Sequence, residues 1–326
     1  MNARLPLAVL VFLGLLSGNC QTTPLDFVSV PPGDDGLLAP GTYALQLGAA
    51  GNDWTYLLHV SAPTAGGQLA PLLILLHGSG EDGKTSLVNN GWIEKSESAG
   101  FVIAAPSGLP LEPDQKPNFI TNPRFWNAEQ PYLTARRRAV DDLAFFDALL
   151  MDIQTRANID PDRIFLAGHS GGGGMVFRLA AERAEQFAAV AVLSSPCFQV
   201  DPAPSRAVPM LFIVGTLDPI LPLDGGSQNL FWLQRNSPPV LDIVGKWATA
   251  LGCTHPSERQ EGALKILDFG GCSDGATFRT ILIEGHGHRW PGGETPFFPD
   301  LLIGPTTSEL NATDTIWEFF EEVSRG

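Results

Sequence analysis

Hydrophobic positions along this chain recur with two alternating periods. Residues 71–76 (PLLILL), 101–105, 164–167 (IFLA), 188–193 and 210–214 are short, uninterrupted apolar runs, the pattern of strands buried on both faces of a parallel sheet. Between them apolar residues fall three or four apart. Val140, Leu143, Phe146, Leu149 and Leu150 do so over 139–153, and the spacing returns near 175–183, 240–251 and 312–323, which predicts helices with one buried face. A helix is also expected near 86–98 and a final strand at 278–284. Ahead of the first run, YALQLG and WTYLLHV between 42 and 61 read as a hairpin turning at 49–53, with His59 half-exposed on its second strand. Strands alternating with helices imply an α/β fold, a mostly parallel twisted sheet with helices on both faces. Two Pro/Gly-rich segments, 106–134 and 219–240, show no period. Trp126 lies in the first and Leu230-Phe231-Trp232 in the second; connections of such length are usually functional or disordered.

One junction between the two periods carries chemistry. The run 164–167 enters Gly168-His169-Ser170-Gly171-Gly172, and helical spacing begins at about Met175. G-x-S-x-G between a strand and a helix is a nucleophile elbow, a strained turn that lifts the serine hydroxyl clear of the sheet. Side chains at the glycines would collide with the neighbouring strand and helix, and the helix's first N–H groups face the space where an oxyanion would form. A serine hydroxyl also needs a base. Asp218 is the one carboxylate at the carboxyl end of 210–214, and GHGHRWPG, after the last strand, offers His286 and His288. Ser, Asp, His is the chain order of an α/β-hydrolase, with all three displayed where open α/β sheets bind substrates. The loop HGSGEDG after 71–76 supplies a second oxyanion donor, the N–H of Ser79, beside that of Gly171. Trp290, His169 and Trp126 are the candidates to touch substrate, with Trp232 a further possible wall. Plain structural readings stand beside these: Asp218 before Pro219 suits a turn, and tryptophans in loops usually pack them.

Composition narrows the partners. Of 326 residues, 20 are Lys or Arg and 35 Asp or Glu, a formal charge of −15, which leaves little to displace counterions from nucleic acid. The basic run Arg136-Arg137-Arg138 precedes Asp141-Asp142 and reads as a solvated helix start. Residues 1–20 read as a secretory signal, its apolar stretch 5–16 too short to span a bilayer. The end of this stretch, LSGNC, is similar to a bacterial lipoprotein signal, with Asn19 where Gly or Ala is usual. Lipidation at Cys20 and simple secretion are both expectations, and a lipid anchor would be the only link to a membrane. A Pro/Gly/Asp-rich tether over 21–41 and a single, monomeric catalytic domain over 42–326 follow. In an oxidising compartment a disulfide is expected; Cys253 and Cys272 would close a short loop, leaving Cys197 a buried thiol. Without a CxxC pair or His/Cys cluster, neither metal nor cofactor is expected.

Taken together, LLHG (75–78), VDDLAF (140–145), DPDRI (160–164), GHSGG (168–172), FAAVA (187–191), GTLD (215–218), Trp247 with Gly252-Cys253, and HRWPG (288–292) resemble the secreted poly(3-hydroxybutyrate) depolymerase-like and feruloyl or acetylxylan esterases. The resemblance spans about Tyr56 to Phe320. It implies an α/β-hydrolase fold, a serine esterase, no cofactor, a Cys253–Cys272 disulfide, and His288, two residues before Trp-Pro-Gly, as the catalytic histidine. Ser79 stands where the family often has another small polar residue or cysteine, and His286 where it often has Gly. Polymer-degrading members add a linker and a polymer-binding domain, neither visible here, so soluble or oligomeric esters are the expected substrates.

Overall fold

The computed structural model describes residues 27–29, 36–230, 233–294 and 300–324. The signal, Cys20, much of the tether and Trp232 lie outside them. The chain forms β1 (Val28–Ser29), β2 (Gly41–Ala49), β3 (Asn52–Val60), β4 (Ala70–Leu76), helices α1 (Gly83–Asn89) and α2 (Trp92–Ala99), and β5 (Val102–Ser107). A small hairpin follows, β6 (Leu109–Pro110) and β7 (Arg124–Phe125), then α3 (Ala135–Arg138), α4 (Asp142–Arg156), β8 (Ile159–His169), α5 (Gly171–Glu182), β9 (Ala189–Leu193) and β10 (Met210–Gly215). Last come β11 (Gly226–Leu230), β12 (Leu233–Ser237), α6 (Val240–Ala250), β13 (His255–Glu261), β14 (Leu264–Gly270), β15 (Phe278–Ile283), α7 (Asp300–Ile303) and α8 (Ala312–Ser324).

Eleven strands join in one sheet, ordered β1-β2-β3-β5-β4-β8-β9-β10-β15-β14-β13. Its middle, β5-β4-β8-β9-β10-β15, is parallel throughout. The apolar runs belong there because both faces are covered. Along β4, Leu72, Ile74 and Leu76 enter one buried cluster while Leu73 and Leu75 enter the other, the period-2 alternation of a strand sandwiched between layers. From α4, Phe145, Phe146 and Leu149 fill the first cluster; from α8, Ile316, Trp317 and Phe320 fill the second. Burying each such side chain is worth about 1.5–3 kcal/mol.

Several expectations are corrected. The helix near 86–98 is two helices, broken at Gly91, whose φ of 71° lies in the left-handed region. The hairpin β13–β14 extends the sheet antiparallel beyond β15 and had no counterpart in the sequence reading. Segment 219–240 holds the hairpin β11–β12. His59 is buried, not half-exposed, with Nδ1 2.9 Å from Thr42 Oγ1 and Nε2 3.2 Å from Glu97. Arg137, from the run read as solvated, is wholly buried. Its guanidinium donates to both oxygens of buried Asp142 at 2.8 and 2.6 Å and to the carbonyl of Phe125, and so pins the 106–134 segment onto α4. Such a pair replaces hydration with paired, directed hydrogen bonds. Cys253 and Cys272 form a disulfide, and Cys197 is a buried free thiol.

Candidate active site

Ser170 sits between β8 and α5 with φ 52° and ψ −119°, a conformation costing about 1–3 kcal/mol that persists only where the surroundings impose it. Here they do. Ser170 N–H donates to Leu193 O on β9 at 2.9 Å. A Cβ on Gly172 would lie 2.3 Å from the carbonyl oxygen of Leu76, and one on Gly171 would lie 2.4 Å from Ser79 Oγ. The elbow therefore closes onto the end of β4 only as glycine. That closeness makes Ser79 and Gly171 neighbours: a Cβ on Gly171 would also lie 3.1 Å from Ser79 N. Among the described residues neither residue's N–H has an acceptor in the protein.

Asp218 follows β10 and His288 follows β15, neighbouring parallel strands whose carboxyl ends share one edge. His288 Nε2 is 2.8 Å from Ser170 Oγ, and Nδ1 is 2.7 Å from Asp218 Oδ2. The serine hydroxyl thus donates to Nε2 while Nδ1–H donates to the carboxylate. Asp218 Oδ1 accepts the N–H groups of Ile220 and Leu221 at 2.8 and 2.7 Å. Burial by itself would raise this carboxyl's pKa. The charge and hydrogen bond of His288 and the two backbone donors outweigh burial and hold it below the usual carboxylate value. It is an anion at neutral pH, aimed at the imidazole.

The chain's likeness to known proteins agrees with this geometry. Residues 129–238, which contain Ser170 and Asp218, match the family model described as serine aminopeptidase, S33. A putative esterase, NocK, of Nocardia uniformis subsp. tsuyamanensis is 28% identical over 303 residues, covering 85% of this chain and 82% of that protein. A probable feruloyl esterase C of Aspergillus niger is 31% identical over 184 residues, 55% of this chain; the match spans 57% of that relative's length. An acetyl xylan esterase structure from Aspergillus awamori superposes with a TM-score of 0.56 over 85% of this chain and 98% of its own, at 14% identity, a likeness of fold. The fold is that of the α/β-hydrolases, and the chain is similar to proteins named as esterases.

The other residues singled out from sequence fall into different places. His286 is fully buried and tied to the backbone: Nε2 lies 3.2 Å from Arg289 O, and Nδ1 accepts Thr307 N–H at 3.1 Å. It shapes the histidine loop and does not reach the serine's proton. His169 lies beside His288, ring centroids 4.9 Å apart. Burial first, then the neighbouring His288 and His286, push its pKa down to about 3, so it stays neutral. Trp290 is only 3% exposed; its indole N–H donates to Thr313 Oγ1 and its edge packs on His169 and Trp92. Trp126 is 1% exposed and donates its indole N–H to the carbonyl of His77 at 3.0 Å. Both tryptophans therefore correct the expectation of substrate contact: they back the site rather than line it, because burying rings of this size in the core is worth more than leaving them open to solvent.

Two residues that sequence reasoning passed over hold the loop that leads into Ser79. His77 Nδ1–H donates to Gly78 O at 2.7 Å while its Nε2 accepts Gly108 N–H at 2.9 Å. Both ring nitrogens are thus committed to backbone. Burial lowers the pKa to about 4 and keeps the ring neutral. The Glu81 carboxylate accepts Gly78 N–H at 2.9 Å, and Glu81 N–H returns to Gly78 O at 3.2 Å. The turn that carries Ser79 is closed from both ends. The only sequence signal for either role was membership of the loop HGSGEDG.

Proposed function

We propose that this chain is a secreted serine carboxylesterase acting through Ser170, His288 and Asp218. Ser170 Oγ attacks the ester carbonyl as His288 Nε2 takes its proton. The tetrahedral oxyanion is bound by the N–H groups of Ser79 and Gly171. His288 then protonates the departing alcohol, leaving an acyl group on Ser170. A water, deprotonated by His288, attacks that acyl group and releases the acid, returning the serine. Asp218 keeps the imidazole in the tautomer that accepts at Nε2 and stabilises its positive form. No cofactor takes part in these steps.

The observation that carries the reading is the continuous pair of hydrogen bonds from Ser170 through His288 to Asp218, next to two unengaged N–H groups. The names of the relatives, feruloyl and acetylxylan esterases, favour esters of small or hydroxycinnamic acids, with hydroxybutyrate oligomers within the same chemistry. Secretion is supported by the N-terminal signal pattern and by the Cys253–Cys272 disulfide. Ser170→Ala should abolish hydrolysis of 4-nitrophenyl acetate and butyrate, and labelling by a fluorophosphonate, while leaving the thermal midpoint near that of the wild type. Retention of most activity in that variant rejects the assignment. A peptidase reading has the description of the matching family model behind it; parallel assays on ester and aminoacyl substrates separate the two.

A further inference from the structure

At the same edge of the sheet as Ser170, but toward its β1–β3 end, lies a cavity of about 520 Å³, within the size range of small-molecule sites. Ser107 at the end of β5, Thr55 opposite it on β3 and Gln46 opposite Thr55 on β2 line it. With β3 three strands from β8, the cavity lies ~14 Å from the elbow at ~4.8 Å per strand. It also touches the catalytic loops, since Gly80 N–H, one residue beyond Ser79, donates to Arg124 O at 2.8 Å.

The charges in it run against the rest of the molecule. The chain carries 15 more acids than bases, and many of its arginines are paired to carboxylates. Lys84 and Arg124 both line this cavity, and neither has a carboxylate within 4.0 Å among the described residues. Lys84 Nζ instead lies 5.2 Å over the ring of Phe27. Arg124 has one hydrogen bond from its guanidinium, Nη1–H to Gly108 O at 2.8 Å. Asp82, the single acid in the lining, is occupied in capping α1, accepting Thr85 N–H and Oγ1–H. Burial already pulls the Arg124 pKa down, Asp82 only partly opposing it. A half-buried guanidinium without a paired anion is costly, and among the described residues no carboxylate, Asp82 included, pairs with it.

We propose that this cavity binds a carboxylate carried by the ester substrate at a distance from the scissile bond, with Arg124 and Lys84 as its partners. The proposal rests on the serine-esterase reading. The carboxylate can stand on the acyl side, as in a dicarboxylic half-ester, or on the alcohol side, as in an esterified hydroxy acid. Charge-assisted hydrogen bonds to Arg and Lys recognise either.

The test uses matched substrates of graded length. On the acyl side they are 4-nitrophenyl monoesters of α,ω-dicarboxylic acids and their methyl-capped forms. On the alcohol side they are acetate esters of ω-hydroxy acids and their methyl-capped forms. At low ionic strength the wild type should prefer the free acid by about tenfold in kcat/KM, the effect of a hydrogen bond to a charged group, once the chain spans the distance. The arm showing the preference identifies which side carries the carboxylate. Lys84→Gln and Arg124→Gln should bring the ratio to about one with 4-nitrophenyl butyrate turnover unchanged. Equal rates for acid and methyl ester in both arms at every length, or a ratio unmoved by Lys84→Gln, overturn the proposal. Should Arg124→Gln fail to fold for want of its bond to Gly108, Lys84→Gln carries the test alone. Failure of the esterase reading would appear separately, as no turnover of butyrate by wild type. Calorimetry of a long-chain dicarboxylate against wild type and Lys84→Gln then reads the cavity directly, and absence of heat with wild type overturns it.

Discussion

His288 and His77 stand on opposite sides of the nucleophile, and both are buried with both ring nitrogens engaged. His288 bonds a hydroxyl and a carboxylate, groups that can give up a proton or stabilise one gained. His77 bonds a carbonyl and an N–H of the backbone, which can do neither. The same side chain is therefore placed to carry a proton in one place and to act as a strut in the other. Its neighbours decide which, not its burial.

The comparison is broken most severely at Asp218. Asp218→Asn should lower kcat by about 10⁴ with KM little changed, because an amide at that position stabilises the wrong imidazole tautomer and no positive charge. Steady-state kinetics on 4-nitrophenyl butyrate read this, and a loss below tenfold would place the working carboxylate elsewhere. The strut should show itself in stability. His77 has a folded pKa of about 4 against about 6.5 when unfolded. The unfolded chain therefore binds a proton that the folded one refuses, and stability falls as pH drops from about 6.5 toward 4. At 2.5 units the contribution is roughly 3 kcal/mol. Urea denaturation across that range should show a shallower pH dependence in His77→Gln than in the wild type. An unchanged slope would mean that His77 titrates normally.

Glu81 sharpens the same contrast, since its carboxylate serves a backbone N–H and not a histidine. Glu81→Ala frees the Gly78 turn and should reduce kcat by about 10- to 10²-fold through a misplaced Ser79 donor, KM changing little. Glu81→Gln, which keeps an acceptor oxygen, should recover most of that loss; equal damage from both would assign the effect to charge. The smallest change in activity is expected at Trp126, where Phe removes the hydrogen bond to His77 O and part of a buried ring. The cost should be about 2–3 kcal/mol in stability, with activity within a few-fold. A loss of substrate affinity instead would restore Trp126 to the substrate wall.

The parallel centre of the sheet, the elbow and the order of Ser170, Asp218 and His288 were legible because each depends on local pattern. A strand covered on both faces has to be apolar throughout, and a turn that brings β8 against the end of β4 has to be glycine. The β13–β14 hairpin was illegible for the opposite reason. All seven residues of β13 are exposed, so no hydrophobic alternation marks it, and its conformation comes from hydrogen bonds across to β14, which β15 in turn holds. Arg137 misled for a related reason: in a run of three arginines nothing local distinguishes the one that Asp142 and the Phe125 carbonyl draw inward.

The amino-acid sequence by itself determined the fold class, the strained turn that carries Ser170, and which histidine loop and carboxylate stand at the same edge, since these follow from periodicity and nearest-neighbour sterics. Only the tertiary structure decided that His288 meets the serine while His286 is tied to the backbone, that the tryptophans face the core, that His77 and Glu81 hold the turn at Gly78, and that among the described residues no carboxylate lies within 4.0 Å of Lys84 or Arg124. Those are statements about distances between residues far apart in the chain. They are set by how the layers pack, which no local pattern encodes.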